Sequence, residues 1–287
     1  MKINKIGLAL AFSPRMEAMM AEASRLLHAY HAQLLLVHVG EETQEAKNQL
    51  QALLSKSQIE PSQVKILWKK GDPADCILSA CKEEQVDLLI AGALKKEQFM
   101  KYYLGTIARK ILRKANCSVL MLIDPSVDRK GFQQIVANAE DSAYVEDAIA
   151  AACEIGLREK AQWLHVVREV KLLGLTMSSM DDCTEDQYNE LRNNLMRTEI
   201  KNVEKLLARI PHAGLKINIK LLSGKSGFEL AQFAQRKQAD LLVVGASPRR
   251  FFFFDRVFTH DLEYIFQDMP CNLLVVNPKQ RKEVGRG

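Results

Sequence analysis

The chain has 287 residues, 47% of them hydrophobic and 26% charged, with a formal net charge of +5. The length suits two ordinary domains or one large one, and the composition is that of a soluble globular chain. No apolar run approaches the ~18 residues of a membrane-spanning helix, and the basic residues are mixed with acids, which speaks against a nucleic-acid groove.

Taken in order, "INKIGLALAF" reads as a first strand and not as a leader, because Pro14, Arg15 and Glu17 soon interrupt its apolar run. Pro14 to His31 carries apolar positions at helical spacing. "AQLLLVHV" is a second strand, residues 43–56 a polar-faced helix, and "VKILWKK" a third strand. "ADCILSACKEEQ" then reads as a helix, "VDLLIAG" as a strand, "GTIARKILRKA" as a helix and "CSVLMLI" as a last strand. These strands are apolar throughout instead of alternating, which calls for a parallel sheet covered on both faces. The polar segment "DPSVDRKG" at 124–131 reads as a linker.

Beyond it the pattern returns. "GDPADCILSACKEEQVDLLIAGA" at 71–93 aligns without gaps on "GKSGFELAQFAQRKQADLLVVGA" at 224–246, matching Gly71 with Gly224, Asp87 with Asp240 and Gly92 with Gly245. "ANCSVLMLIDP" resembles "MPCNLLVVNP", and "LLLVHV" at 34–39 resembles "QWLHVV" at 162–167. The unit is half the chain, so this is a duplicated domain and not a solenoid. The expected architecture is α/β: two doubly wound, five-stranded parallel-sheet domains, at 1–125 and 130–287. The second carries a longer excursion at 168–200, whose central part, "SSMDDCTEDQYNE", is acidic and polar enough to read as mobile.

In such a sheet ligands sit beyond the carboxyl ends of the strands. Gly92 and Gly245 fall there. In the first copy Gly105 and Thr106 open the next helix, where free N–H groups and the positive dipole end suit a phosphate and the Thr106 hydroxyl offers a donor or a cap. Lys95 and Lys96 lie between, either as phosphate partners or as solvated loop lysines. The second copy has Pro248 and Phe258-Thr259 at the matching places.

These residues resemble the universal stress proteins, over both halves of the chain. The nucleotide-binding members of that family carry glycine, two residues, glycine, nine residues, then glycine with serine or threonine. Gly92 and Gly105-Thr106 match the first and last elements, and Lys95 replaces the middle glycine. The resemblance implies the adenine nucleotide alpha hydrolase-like fold and a regulatory, stress-response module without turnover. It also implies ATP or AMP in the first domain, with magnesium only as the nucleotide's own counter-ion. Val39 falls where the family lines adenine, and Ser13 joins the set just past the first strand. The family's first-strand aspartate is missing, since Ala11 or Phe12 stands there, while Glu140 occupies the comparable place in the second copy. Last strands pair edge to edge in the family, so "CSVLMLI" and "CNLLVVN" are expected to pair within this chain, which can associate further as a homodimer. Slow ATP hydrolysis in the first domain is the enzymatic alternative.

Three other features carry open readings. Phe251 to Phe254 fill a vacated nucleotide cleft, contact a partner or apolar ligand, or pack as local core. His38 and His165 take comparable places on the second strands, with no Ser/His/Asp order or carboxylate cluster to make them catalytic. Six scattered cysteines, with no CxxC pair, fit a reducing cytoplasm better than a zinc site or a disulfide framework.

Overall fold

The computed structural model describes residues 2–96, 101–128, 131–140, 144–170, 184–224, 227–246 and 260–277. In the first half, β1 (Lys5–Leu10), α1 (Met16–Tyr30), β2 (Gln33–Val39), α2 (Gln44–Lys56), β3 (Val64–Lys69), α3 (Pro73–Glu83) and β4 (Leu88–Gly92) alternate as expected. A short hairpin follows, β5 (Leu94–Lys96) with β6 (Lys101–Tyr103), then α4 (Thr106–Lys114) and β7 (Ser118–Leu122). The second half runs β8 (Gln134–Asn138), α5 (Val145–Glu159), β9 (Trp163–Glu169), α6 (Glu185–Leu207), β10 (Ile217–Leu222), α7 (Phe228–Arg236), β11 (Leu241–Gly245), α8 (His260–Gln267) and β12 (Asn272–Val276).

Ten of these strands form one continuous sheet, ordered β10-β9-β8-β11-β12-β7-β4-β1-β2-β3. Each half is parallel and doubly wound. The halves meet at β12 and β7, which run antiparallel with Leu273 opposite Met121, Leu274 opposite Leu120 and Val275 opposite Val119. The expected edge pairing is therefore present, and it removes two apolar edges that would otherwise invite aggregation. Polar side chains pin both ends of the junction. Asn272 accepts from the Ile123 backbone at 2.9 Å and donates to the Asp240 carbonyl, while Ser118 Oγ accepts from the Asn277 backbone at 3.1 Å.

The repeated aspartates have a structural job at the opposite rim from the strands' carboxyl ends. Asp87 accepts the backbone N–H groups of Asn4 and Lys5, and Asp240 those of Gln133 and Gln134. Each carboxylate thus fixes the entry of its own half's first strand. Two hydrogen bonds to one carboxylate, each worth more than a neutral pair, give both halves the same reason to keep an aspartate there.

Two apolar layers sandwich the sheet and run through both halves, one built on α1, α5 and α6, the other on α3, α4, α7 and α8. An ion pair between the halves lies on each side. Arg25 of α1 bonds Glu159 of α5 as well as Glu22, and Arg109 and Arg113 of α4 both bond Glu263 of α8.

Two expectations need correction. The acidic stretch at 178–190 is helical from Glu185 onward. Thr184 and Gln187 form a reciprocal capping box, which offsets the polar composition by satisfying two orphan donors. Residues 171–183 lie outside the described residues. The alignment of His38 with His165 also fails. Lys5 pairs with Gln33 and Gln134 with Trp163, so the strands β2 and β9 correspond from their first residues, and His38 matches Arg168. The two do the same job: His38 Nδ1 bonds the Leu10 carbonyl at 3.2 Å and Arg168 donates to the Ala139 carbonyl at 2.8 Å, each tying down the end of its half's first strand.

Candidate functional site

The connection from β1 runs to β2 on one side, whereas β3 returns to β4 on the other, so the carboxyl ends of β1 and β4 flank the switch point of the first half. Gly92 ends β4 and is exposed; a Cβ there would make ordinary contact with Met19 alone, 3.7 Å from Sδ and 3.8 Å from Cε. The following residues form the β5–β6 hairpin, which pairs Lys95 with Tyr102 through the backbone, where an irregular loop was expected. Residues 97–100 lie outside the described residues.

Gly105 is the N-cap residue of α4. Its φ of −71° and ψ of 175° suit any residue, so its glycine is not demanded by the backbone. The space is what is tight: a Cβ there would lie 2.6 Å from Leu94 Cδ1 of the same hairpin. Thr106 is exposed at the first helical position, one residue past the cap, and does not cap its own helix. Among the described residues no side chain caps the α4 N-terminus, and no acid lies in its first turn, unlike α2, α3 and α6, which Thr43, Asp72 and Thr184 cap. The first N–H groups of α4 are thus open to an anion.

Ser13 is exposed, and its carbonyl accepts the Met16 N–H at 3.0 Å at the start of α1. Val39 is half-buried against the α3–α4 layer. The structure therefore sets Gly92, Lys95, Gly105, Thr106 and Ser13 along the carboxyl rim of the first half, with Val39 at the end of β2.

Two groupings at this rim were not assembled from the sequence, although His38 and Phe12 were each noted singly. Phe12, His38 and Trp68, at the ends of β1, β2 and β3, form one ring cluster, with centroids 4.7 Å apart for Phe12–His38 and 5.0 Å for His38–Trp68. Arg15 reaches across the switch point and donates to the Ala93 carbonyl at 2.6 Å and the Ile123 carbonyl at 3.1 Å. Its place in "FSPR", just beyond the first strand's carboxyl end, was the available signal.

In the second half, Gly245 ends β11, and a Cβ there would meet the Tyr144 carbonyl at 3.3 Å, a tighter fit than at Gly92. Glu169 Oε1 accepts the Gly227 N–H at 3.1 Å, placing a carboxylate of the chain itself on the N-terminus of α7. Pro248, Phe251 to Phe254, Phe258 and Thr259 lie outside the described residues.

His165 is a core residue, 4% exposed, in the place that Leu35 takes in the first half. Asn218 donates to its Nδ1 at 3.0 Å, and its ring meets Phe233 edge to face. Burial, and secondarily the charge of Lys237, hold its imidazole below the ordinary value of 6.5. Below that pH the unfolded chain takes up a proton that the folded chain resists, so stability is complete above 6.5 and falls on acidification. Chemical denaturation between pH 7 and pH 5 should show this loss, and His165→Leu should flatten the slope; an unchanged slope would assign the acid sensitivity elsewhere.

Among the described residues no group of three His, Cys, Asp or Glu is placed to hold a metal, and no helix is long and apolar enough to cross a membrane. Cys81 and Cys117 are buried side by side, and their mutual contact and burial push the Cys81 thiol far up from its ordinary value.

The chain is thus a duplicated doubly wound α/β protein whose two halves share one sheet. The universal stress protein family profile matches residues 40–122 and 131–277, and the chain belongs to that family as a tandem member. Three solved structures share the whole architecture. A universal stress protein of Archaeoglobus fulgidus DSM 4304 is 13% identical with a TM-score of 0.64, covering 96% of this chain and 99% of its own. A functionally unknown protein of Pseudomonas aeruginosa PAO1 is 18% identical at 0.68, covering 96% and 93%. A Pseudomonas aeruginosa UCBPP-PA14 protein ascribed to the same family is 18% identical at 0.69, covering 96% and 94%. At these identities the likeness speaks for the fold.

Proposed function

We propose that this universal stress protein is a regulatory module that binds one adenine nucleotide, ATP or AMP, in its first half and none in its second. The observation that carries the reading is the uncapped N-terminus of α4 at Gly105-Thr106, which stands at the family's spacing after an exposed Gly92. A phosphate supplies the acceptors that those N–H groups lack. Gly92, Lys95, Gly105 and Thr106 would hold the phosphate end, and Val39 and Ser13 line the rest. Magnesium enters only with the nucleotide. Ala11 and Phe12, just past the first strand, stand in place of an acid, which favours binding without hydrolysis.

The hairpin supplies a route for regulation. Leu104 donates its backbone N–H to the Phe266 carbonyl and Met269 donates to the Tyr102 carbonyl, both at 3.0 Å, so the loop that would close on a ligand is tied to the second half.

Calorimetric titration of ATP and AMP into three proteins tests the reading. The unsubstituted chain should bind, Gly105→Val should lose at least about tenfold in affinity, as expected when charge-assisted hydrogen bonds are lost, and Gly245→Val should bind normally. Gly105→Val is expected to fold, since its backbone angles suit valine and the nearest atom is the end of the flexible Leu94 side chain. Binding that survives Gly105→Val and disappears in Gly245→Val would place the site in the other half.

A further inference from the structure

Four arginines among the described residues are half-buried: Arg15, Arg25, Arg109 and Arg168. Three of them meet a carboxylate, Arg25 with Glu22 and Glu159, Arg109 with Glu263, and Arg168 with Glu199. Arg15 does not. Among the described residues its partners are two neutral carbonyls, those of Ala93 and Ile123. Asp124 adjoins Ile123, yet its Oδ1 accepts from the Tyr102 hydroxyl at 3.3 Å, and no ion pair joins it to Arg15. A guanidinium always carries its charge and offers five N–H donors in a planar fork. Withdrawing it partly from water without an anion is costly, and a simple latch for the β1–α1 loop would need no charge.

Its location gives the charge a use. Arg15 starts just past β1 and ends on residues one beyond β4 and one beyond β7, so it bridges the crevice at the switch point, where ligands of this sheet type sit. Ala93 adjoins Leu94, whose side chain touches the start of α4, so the guanidinium and the uncapped N–H groups share the base of one hairpin. Among the described residues, an arginine that makes no ion pair and a helix end that no side chain caps thus converge on one place.

We propose that Arg15 is the anion-recognising residue of the first-half site: held across the crevice by the Ala93 and Ile123 carbonyls, it pairs its remaining donors with a phosphate of the bound ligand. This rests on the nucleotide reading above for the identity of the ligand, and the nucleotide base plays no part in it.

The test uses three probes on the full chain, ATP, inorganic tripolyphosphate and adenosine, titrated into the unsubstituted protein, Arg15→Gln and Arg15→Lys. ATP and tripolyphosphate should each weaken about tenfold or more in Arg15→Gln, the scale of a lost charge-assisted hydrogen bond. Arg15→Lys should fall between, keeping the charge without the fork, and adenosine should be indifferent to both. Phenylglyoxal labelling of the unsubstituted chain, read by peptide mass spectrometry, gives a check that needs no variant: tripolyphosphate should protect Arg15. Arg15-dependent binding of tripolyphosphate, with no preference for ATP, would keep this proposal and overturn the nucleotide reading. Full-strength ATP binding in Arg15→Gln, with Arg15 unprotected, would overturn this proposal and leave the nucleotide. Absence of binding by both anions would defeat the two together.

Discussion

Replacing Leu274 by proline is expected to cost about 3 kcal/mol or more and to unfold both halves in one transition. Leu274 lies in the middle of β12, buried, with β11 on one side and β7 on the other. Proline removes a ladder hydrogen bond and cannot be accommodated at the centre of a sheet. The damage reaches both halves because β12 and β7 join them, and the two apolar layers continue across that seam. Val119→Pro, on the facing strand, should behave alike. Thermal melting followed by circular dichroism checks this; unchanged midpoints in both variants would mean that the β7–β12 pairing is not what holds the halves together.

The second large effect concerns Arg25. Its side chain is 19% exposed and serves Glu22 and Glu159, which are 1% and 4% exposed. It also lies over the Phe132 ring, 4.8 Å from the centroid. Arg25→Ala removes the cation that these two buried carboxylates share, and breaking a buried pair by removing one partner costs ~3–5 kcal/mol. Arg25→Ala combined with Glu159→Gln should recover part of that loss, because the Glu159 charge goes with it. Urea denaturation of the single and double variants makes the comparison. A double variant no more stable than Arg25→Ala would show that the loss comes from packing on Phe132 and not from the stranded charge.

Much of the fold was legible in the sequence because its signals are local and doubled. Each parallel strand is a short apolar run bounded by glycine, proline or polar residues, and the gapless match of 71–93 with 224–246 shows the duplication. The final strands could be paired in advance because last strands pair in the universal stress proteins that the sequence resembles, and both are apolar runs at the end of their repeat. What escaped was set by three-dimensional register. Leu94 to Lys96 and Lys101 to Tyr103 are too short to announce a hairpin, which is held by Phe266 and Met269 of the other half. The sequence similarity of "LLLVHV" and "QWLHVV" put the histidines in parallel, but a shift of the pairing register changes which residues correspond and which face they meet. At 178–190 the capping residues Thr184 and Gln187 were visible, and the polar composition around them concealed the helix.

The rim site divides in the same way. Gly92, Gly105 and Thr106 could be found because their spacing lies within one segment. Arg15 could not be tied to them, since its partners Ala93 and Ile123 are far away in sequence and offer only backbone carbonyls, which leave no trace in residue type. The structure also changes the reason for Gly105: its backbone angles suit any residue, and its missing Cβ accommodates Leu94.

The most direct measurement is native mass spectrometry of the intact chain with ATP, which counts ligands per molecule without assuming where they sit. One nucleotide per chain, retained in Gly245→Val and lost in Gly105→Val, is the predicted result. Two nucleotides per chain, or none at any concentration of ATP, would contradict the account.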